Sequence, residues 1–306
     1  MKIVATSPSF SKNKKLQSEI NKYFPDVKLN IEGIKFNHDE LIQFIKNSDA
    51  IIVGLDEINA DVIEKCPNLR IISKYGVGLN NIDIEECQKR NIKIGWTGGV
   101  NKLSVAEMAL GFMLMFARNL FMSSNELKNG NWNKSAGFQL SGKSIGIIGV
   151  GHTGKELVRL LKPFDCQILA NDVVDQTDYF IKNNIEEATK DAIFRTCDFV
   201  TINTPFNDAT NNMVDKEVLK SMKNTAYIIN IARGGIINEA DLKHALQKNI
   251  IAGAALDAFI DEPPTDQEFL NLPNLICTPH IGGNAKEAVE AMGMSAINHL
   301  KEFYKL

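Results

Sequence analysis

Cysteine is scarce and scattered in this chain. Cys66, Cys87, Cys166, Cys197 and Cys277 make an odd count of five with no C-x-x-C pair. That argues against a disulfide framework and fits a reducing cytoplasm. No two histidines or cysteines stand at metal-ligand spacing, so no metal is expected. Positive charge is short as well: the formal net charge is -3 and the run Lys12-Asn13-Lys14-Lys15 is too brief to matter. A nucleic-acid surface would show a basic excess and basic clusters, so none is expected. The longest strongly apolar run, residues 108–117, is bounded by Glu107 and Arg118 and is far too short to cross a bilayer. Met1-Lys2-Ile3-Val4-Ala5-Thr6 leads straight into a strand-like segment, so neither a secretory signal nor a membrane role is expected. Low-complexity tracts are missing too.

What the chain does contain is a repeated unit of apolar run, turn and amphipathic helix. At 306 residues, 44% apolar and 23% charged, it has the composition of an ordinary globular protein and the length of two domains. The first hundred residues predict strands near 3–6, 27–31, 50–54, 70–74 and 92–96, with helices near 14–23, 39–46, 60–66 and 84–90. Parallel strands need crossover connections, so this alternation predicts a doubly wound parallel sheet. Residues 97–101 read as a hinge, and Ser104 with Glu107 as a capping box for the next helix. That helix carries Met108, Leu110, Phe112, Met113, Leu114, Met115 and Phe116 with no polar face. Burial on every side is expected, between domains and against a second subunit. Residues 129–137 read as a surface or interface loop. Six further strands are predicted near 145–150, 167–171, 198–203, 226–231, 252–257 and 275–278. Residues 285–306 are helical in period, have no strand to pair with, and are expected to return to the first domain.

Gly149, Gly151 and Gly154 follow the apolar run 145–150 and match G-x-G-x-x-G. Those glycines allow a tight turn, close approach of a pyrophosphate to backbone, and tight packing of helix on strand. The backbone N–H groups of His152 and Thr153 then open the helix toward the phosphates. The next apolar run ends at Asp172, where a ribose-binding acid is expected, and Val173-Val174 supplies no arginine for a 2′-phosphate. The cofactor is therefore expected to be NAD. The fold class is α/β, with a Rossmann NAD-binding domain at 99–284 and a smaller flavodoxin-like substrate domain formed discontinuously by 1–98 and 285–306.

Ligands of such sheets gather beyond the carboxyl ends of the strands. Three late strand ends stand out. Ile231-Ala232-Arg233-Gly234-Gly235 follows one, Asp257 leads to Glu262-Pro263-Pro264 after another, and Thr278-Pro279-His280-Ile281-Gly282-Gly283 follows the last. An arginine, a carboxylate and a histidine thus converge on one edge.

The run Ile229-Asn-Ile-Ala-Arg-Gly-Gly-Ile-Ile-Asn-Glu239, then Asp257 with Glu262-Pro263, then Thr278-Pro279-His280, resembles the D-isomer-specific 2-hydroxyacid dehydrogenases. The similarity extends to Lys74-Tyr-Gly-Val-Gly-Leu-Asn-Asn-Ile-Asp83 and to residues 101–118. It implies hydride transfer between NAD(H) and a 2-hydroxy/2-oxo acid. A 2-oxo acid needs its carboxylate neutralised and its carbonyl polarised, which Arg233 would do with paired hydrogen bonds. His280 would be the general acid, or the base in the oxidative direction. Glu262 would orient its ring and favour the charged form. Lys74, Asn101 and the backbone at Gly76, Val77 and Gly78 would be further substrate contacts, the glycines exposing N–H groups. Thr204, Pro205, Ile231, Ala232, Asp257, Gly282 and Gly283 would line the cofactor. Thr153 departs from the isoleucine usual in the loop.

The chain looks most like short phosphoglycerate dehydrogenases, and with Leu306 last no amino-acid-sensing domain is expected. One departure bears on that substrate. No arginine follows Val53; Gly54-Leu55-Asp56-Glu57 stands there instead, and two acids repel a phosphate. Lys74 could supply a cation. Glyoxylate, hydroxypyruvate or a small branched 2-oxo acid is the alternative, while Glu262 argues against formate chemistry. A reading of another class, an NAD-sensing corepressor, stays open. A homodimer is expected.

Overall fold

The computed structural model describes residues 1–135 and 137–306. Ala136, inside the expected 129–137 loop, lies outside the described residues. Two compact units appear, Met1–Asn101 with Asn284–Leu306 and Lys102–Gly283.

The first unit holds β1 (Ile3–Ala5), β2 (Lys28–Leu29), β3 (Ala50–Val53), β4 (Ile71–Lys74) and β5 (Lys93–Gly95) in the order β2-β1-β3-β4-β5, all parallel. Side chains alternate across a strand, and β3 shows the result. Ala50 and Ile52 face a core shared with Leu16, Ile20, Met292, Ala296 and Leu300, whereas Ile51 and Val53 face Leu41, Ile45, Val62 and Cys87. The helices Lys14–Tyr23 and Lys286–Tyr304 cover the first face, and His38–Ile45, Ala60–Glu64 and Ile84–Lys89 the second. The last helix therefore supplies part of the core of a unit whose other residues precede it by nearly two hundred positions. Gly293 makes its close seat: a Cβ there would fall 2.2 Å from Leu16 Cδ1. A short helix, Pro8–Lys12, was not expected from the sequence; Ser7 caps it and Pro8 opens it.

The second unit holds β6 (Ser144–Ile148), β7 (Gln167–Asn171), β8 (Glu186–Glu187), β9 (Phe199–Ile202), β10 (Tyr227–Asn230), β11 (Gly253–Leu256) and β12 (Leu275–Cys277). Their order is β12-β11-β10-β9-β6-β7-β8, again all parallel. Among the described residues the sheet has seven strands where six were expected. The seventh, β8, is a two-residue edge strand of exposed glutamates with no apolar signature.

The helix Lys102–Ala117 corrects one expectation. Ser104 does not cap it, because the helix begins two residues earlier; the Ser104 hydroxyl donates instead to Gly282 O, at 2.5 Å. Within one chain the helix is not buried all round. Ala106, Ala109, Phe112, Met113 and Ala117 are buried, while Leu103 is exposed and Leu110, Leu114 and Met115 are half-buried. Among the described residues no single helix is long and apolar enough to cross a membrane. This helix and Leu120–Lys128 reach that length only together, across a 60° bend.

Candidate active site

The strand order of the second sheet reverses between β6 and β9, and a crevice opens outside the carboxyl ends of strands at such a switch point. Gly149 follows β6 there with φ 93°, a conformation that favours glycine. A Cβ on it would sit 2.9 Å from Asn203 C and 3.0 Å from Thr204 Cγ2, so the loop can lie against the end of β9 only without a side chain. A Cβ on Gly154 would fall 2.3 Å from Gly149 O, which sets the seat of the helix His152–Leu161 on the strand. Gly151 caps that helix without a side-chain hydrogen bond and faces open space. Asp172 accepts from Val150 N at 2.6 Å and Val174 N at 2.9 Å, tying the end of β7 to the glycine loop. Thr204 Oγ1 and Asn203 Oδ1 are buried without a hydrogen-bond partner among the described residues.

Beyond β10 the chain turns through Ile231 and Ala232 to Arg233. Asn230 shapes this turn, a part the sequence did not reveal. Its Oδ1 accepts from Ala232 N at 3.0 Å and its Nδ2 donates to Arg233 O at 2.7 Å. The guanidinium donates through Nη1 to Ala232 O at 2.7 Å. Burial pushes it below its ordinary range, against the pull of the Glu262 carboxylate. Gly234 is packed so closely that a Cβ would collide with Phe259 O, 1.9 Å away.

Beyond β11 and β12 one buried carboxylate organises the next loop. Asp257, 2% exposed, accepts from the Thr278 hydroxyl at 2.6 Å, Ile281 N at 2.8 Å and Gly282 N at 2.7 Å. A Cβ on Gly282 would lie 2.8 Å from Asp257 Oδ2. Between those bonds His280 is held at φ 52°, sparsely populated for a residue with a Cβ. Its Nδ1 meets both Glu262 oxygens at 2.9 Å, and Glu262 Oε1 also accepts from Phe259 N at 3.1 Å. The peptide Glu262–Pro263 is cis. The Glu262 and His280 side chains keep 40% and 39% exposure, enough to exchange protons with a bound molecule. Arg233, Glu262 and His280 thus stand on three adjacent strand ends of one unit. Asp257 was expected beside a cofactor; in the fold its bonds secure the histidine loop.

In the first unit the loops after β3 and β4 are clamped together. Lys74 is 4% exposed and donates to Gly54 O at 2.5 Å and Asn81 Oδ1 at 2.6 Å. Asn81 Nδ2 donates in turn to Gly54 O and Asp56 O. Lys74, expected as a cation offered to substrate, also clamps the loop scaffold through these donors. Gly76, Val77 and Gly78 lie above it half-buried, Gly76 at φ 139°. Asp56 accepts from the Thr6 hydroxyl at 2.6 Å, and Leu55 stands 93% exposed. Asn101 is buried at the last position of the unit's first segment.

Residues 110–282 match the model of the D-isomer specific 2-hydroxyacid dehydrogenase NAD binding domain. The hydroxypyruvate reductase of Thermotoga maritima is 34% identical over 89% of this chain and 90% of its own length. The chain belongs to the D-isomer-specific 2-hydroxyacid dehydrogenase family. The D-3-phosphoglycerate dehydrogenase of Methanocaldococcus jannaschii is 36% identical over 86% of this chain, which spans only 51% of that protein. A putative D-isomer specific 2-hydroxyacid dehydrogenase from Polaromonas sp. JS6 66 has a structure similar to this one with TM-score 0.91 and 25% identity, covering 99% of this chain and 96% of that one.

As a 2-hydroxyacid dehydrogenase the protein is an NAD-dependent oxidoreductase acting on a CH–OH group. The residues present fit a dinucleotide. The glycine loop is a cradle that side chains would fill, the helix behind it starts with no side-chain cap, and Thr204 Oγ1 is an orphaned hydroxyl at its edge. A free helix start attracts phosphate through its N–H groups and dipole.

Proposed function

We propose that the protein reduces a small, unphosphorylated 2-oxo acid of the glyoxylate or hydroxypyruvate kind, with His280 as the general acid. The observation that carries this reading is the Glu262–His280 pair beside Arg233. With Nδ1 turned to Glu262, Nε2 is the nitrogen that passes a proton to the substrate carbonyl oxygen. Glu262 orients the ring. Arg233 pairs with the substrate carboxylate and polarises the carbonyl; its partial burial strengthens that attraction. NADH supplies the hydride when bound. Its proposed contacts are the Gly149–Gly154 loop with His152 and Thr153, then Asp172, Thr204, Pro205, Ile231, Ala232, Asp257, Gly282 and Gly283.

The first unit is the proposed substrate-binding domain, its Gly76, Val77 and Gly78 amides and Asn101 serving the substrate. Its chemistry favours an unphosphorylated acid. The loop after β3 offers Leu55 and two acids, and the Lys74 ammonium is engaged by Gly54 O and Asn81. The hydroxypyruvate reductase that matches over nine-tenths of its length supports the same choice. Phosphoglycerate oxidation is the second reading, favoured by the 36% identity to the archaeal enzyme. A cytoplasmic homodimer is proposed from the scattered free cysteines and from the half-buried Leu110, Leu114 and Met115 beside exposed Leu120, Leu127 and Trp132.

The test is a panel of glyoxylate, hydroxypyruvate, a branched 2-oxo acid and 3-phosphohydroxypyruvate with NADH and with NADPH. Turnover of the unphosphorylated acids with NADH is expected; a marked preference for the phosphorylated one selects the second reading. Binding of NADH without turnover of any would favour the corepressor class. His280→Ala is expected to lower kcat by at least ~10²-fold with NADH affinity retained; a near-normal rate would remove His280 from the chemistry.

A further inference from the structure

A glutamate outside the three-residue cluster stands close enough to govern it. The turn that carries Glu262 runs from Asp257, and two successive backbone amides in it are held by carboxylates. Phe259 N donates to Glu262 itself, a bond internal to the turn. Ile260 N donates to Glu239 Oε1 at 2.7 Å, across 21 positions of sequence. Glu239 is the first residue of the helix Glu239–Gln247, whose cap is provided by Asn238. An acid at such a position is ordinarily turned to solvent or to its own helix. This one is half-buried and reaches outward to another loop. The peptide it holds also rests on Gly234, where a Cβ would lie 2.5 Å from Ile260 N. Phe259 anchors the start of the turn in the core, but the Ile260 side chain after it is exposed, so beyond Phe259 the turn is held by the bond to Glu239 and the seat on Gly234.

We infer that Glu239 is a positioning residue for the reaction: its bond to Ile260 N fixes the turn on Gly234 and thereby sets Glu262 against His280 Nδ1. The inference rests on the function proposed above. Burial pushes the Glu239 carboxyl above the usual carboxylate range, and Asp261 and Glu262 push it the same way. The bond needs only an acceptor oxygen, which an ionised carboxylate, a protonated one or an amide all provide.

Four full-length variants test this against glyoxylate and hydroxypyruvate with NADH. Glu239→Ala removes the acceptor, Glu239→Asp withdraws it by one methylene while keeping the charge, and Glu239→Gln keeps it without the charge. Ala and Asp should lower kcat about 10- to 100-fold with little change in KM, the loss expected when a reacting group is displaced by about 1 Å. Gln should restore the rate to within about 2-fold, since the acceptor survives. In a Glu262→Gln background, Glu239→Ala should add almost nothing, because both changes disable the same orientation. Amide exchange of the segment 259–262 should quicken in Ala and Asp and stay protected in Gln. Should Glu239→Ala fail to fold, the Asp and Gln pair carries the same comparison. A Gln variant as impaired as Ala, a fully additive loss with Glu262→Gln, or unchanged exchange in Ala and Asp would overturn the inference. A wild type that reduces no acid in the panel would instead defeat the proposed function, leaving exchange to decide whether Glu239 holds the turn.

Discussion

Removing the Asp257 carboxylate is the perturbation whose outcome the structure constrains most tightly. The group is 2% exposed and serves three donors, the Thr278 hydroxyl and the backbone N–H groups of Ile281 and Gly282. Asp257→Ala strands all three. An orphaned buried donor costs about 1–3 kcal/mol, and taking one partner from a buried charged network costs about 3–5 kcal/mol. Water entering the vacated space offsets part of three separate penalties, so we expect about 3–5 kcal/mol in all. For a unit the size of Lys102–Gly283, each kcal/mol moves the thermal midpoint by roughly 2–4 °C, which gives roughly 6–20 °C. Asp257→Asn should be nearly as severe. Its oxygen can serve two donors, but its NH2 then meets a third donor head-on. Circular dichroism melts of the three proteins give the midpoints, and kcat should fall in both variants because His280 sits at φ 52° only under the constraint of this loop. A melting point for Asp257→Ala within about 2 °C of wild type would refute the reasoning, because even one stranded donor predicts more.

Gly154→Ala should weaken NADH binding at least about tenfold and destabilise the protein by about 1–3 kcal/mol, since its Cβ would lie 2.3 Å from Gly149 O; a fluorescence titration with unchanged affinity contradicts this. Asp198 provides a pH test. Burial works to raise its carboxyl, yet Lys223 and the Ser144 N–H and hydroxyl outweigh that and hold it below the usual range. A group depressed in the folded state adds stability above its unfolded value, about 4 for Asp, and loses it as pH falls through the lower folded value. Wild type should therefore exceed Asp198→Asn in urea denaturation at pH 7, by a margin that shrinks in acid; a margin that grows in acid would reverse the assignment.

Much of the fold was legible because burial on both faces of a parallel sheet writes continuous apolar runs such as Ile145 to Ile148 and Ala50 to Val53. β8 was not, since an edge strand of two glutamates carries no such run. The apolar helix Lys102–Ala117 was legible only in part: composition reports that a face must be covered, without saying by what. At the site, residue type and order at strand ends brought Arg233, Glu262 and His280 forward. The supports behind them were harder to read: Thr278 reaches Asp257 across 21 positions, and Asn230 closes a local turn that its residue type does not announce. Thr278 and Asn230 look like unremarkable strand-end polar residues until their partners are known. Lys74 shows the converse, a residue whose charge was plain in the sequence while its structural bonds to Gly54 O and Asn81 were not.

The returning helix Lys286–Tyr304 has a bearing on synthesis. Met292, Ala296, Ile297 and Leu300 close one face of a sheet whose last strand, β5, ends at Gly95. A chain made from its amino end thus carries the first unit half-covered while residues 102–283 emerge and complete a core of their own. The usual order, in which amino-terminal domains finish first, is inverted. The first sheet would expose Ile3, Ile52 and Ile71 to its surroundings until residues 286–304 have appeared. During that interval the first sheet depends on shielding that the finished core no longer needs.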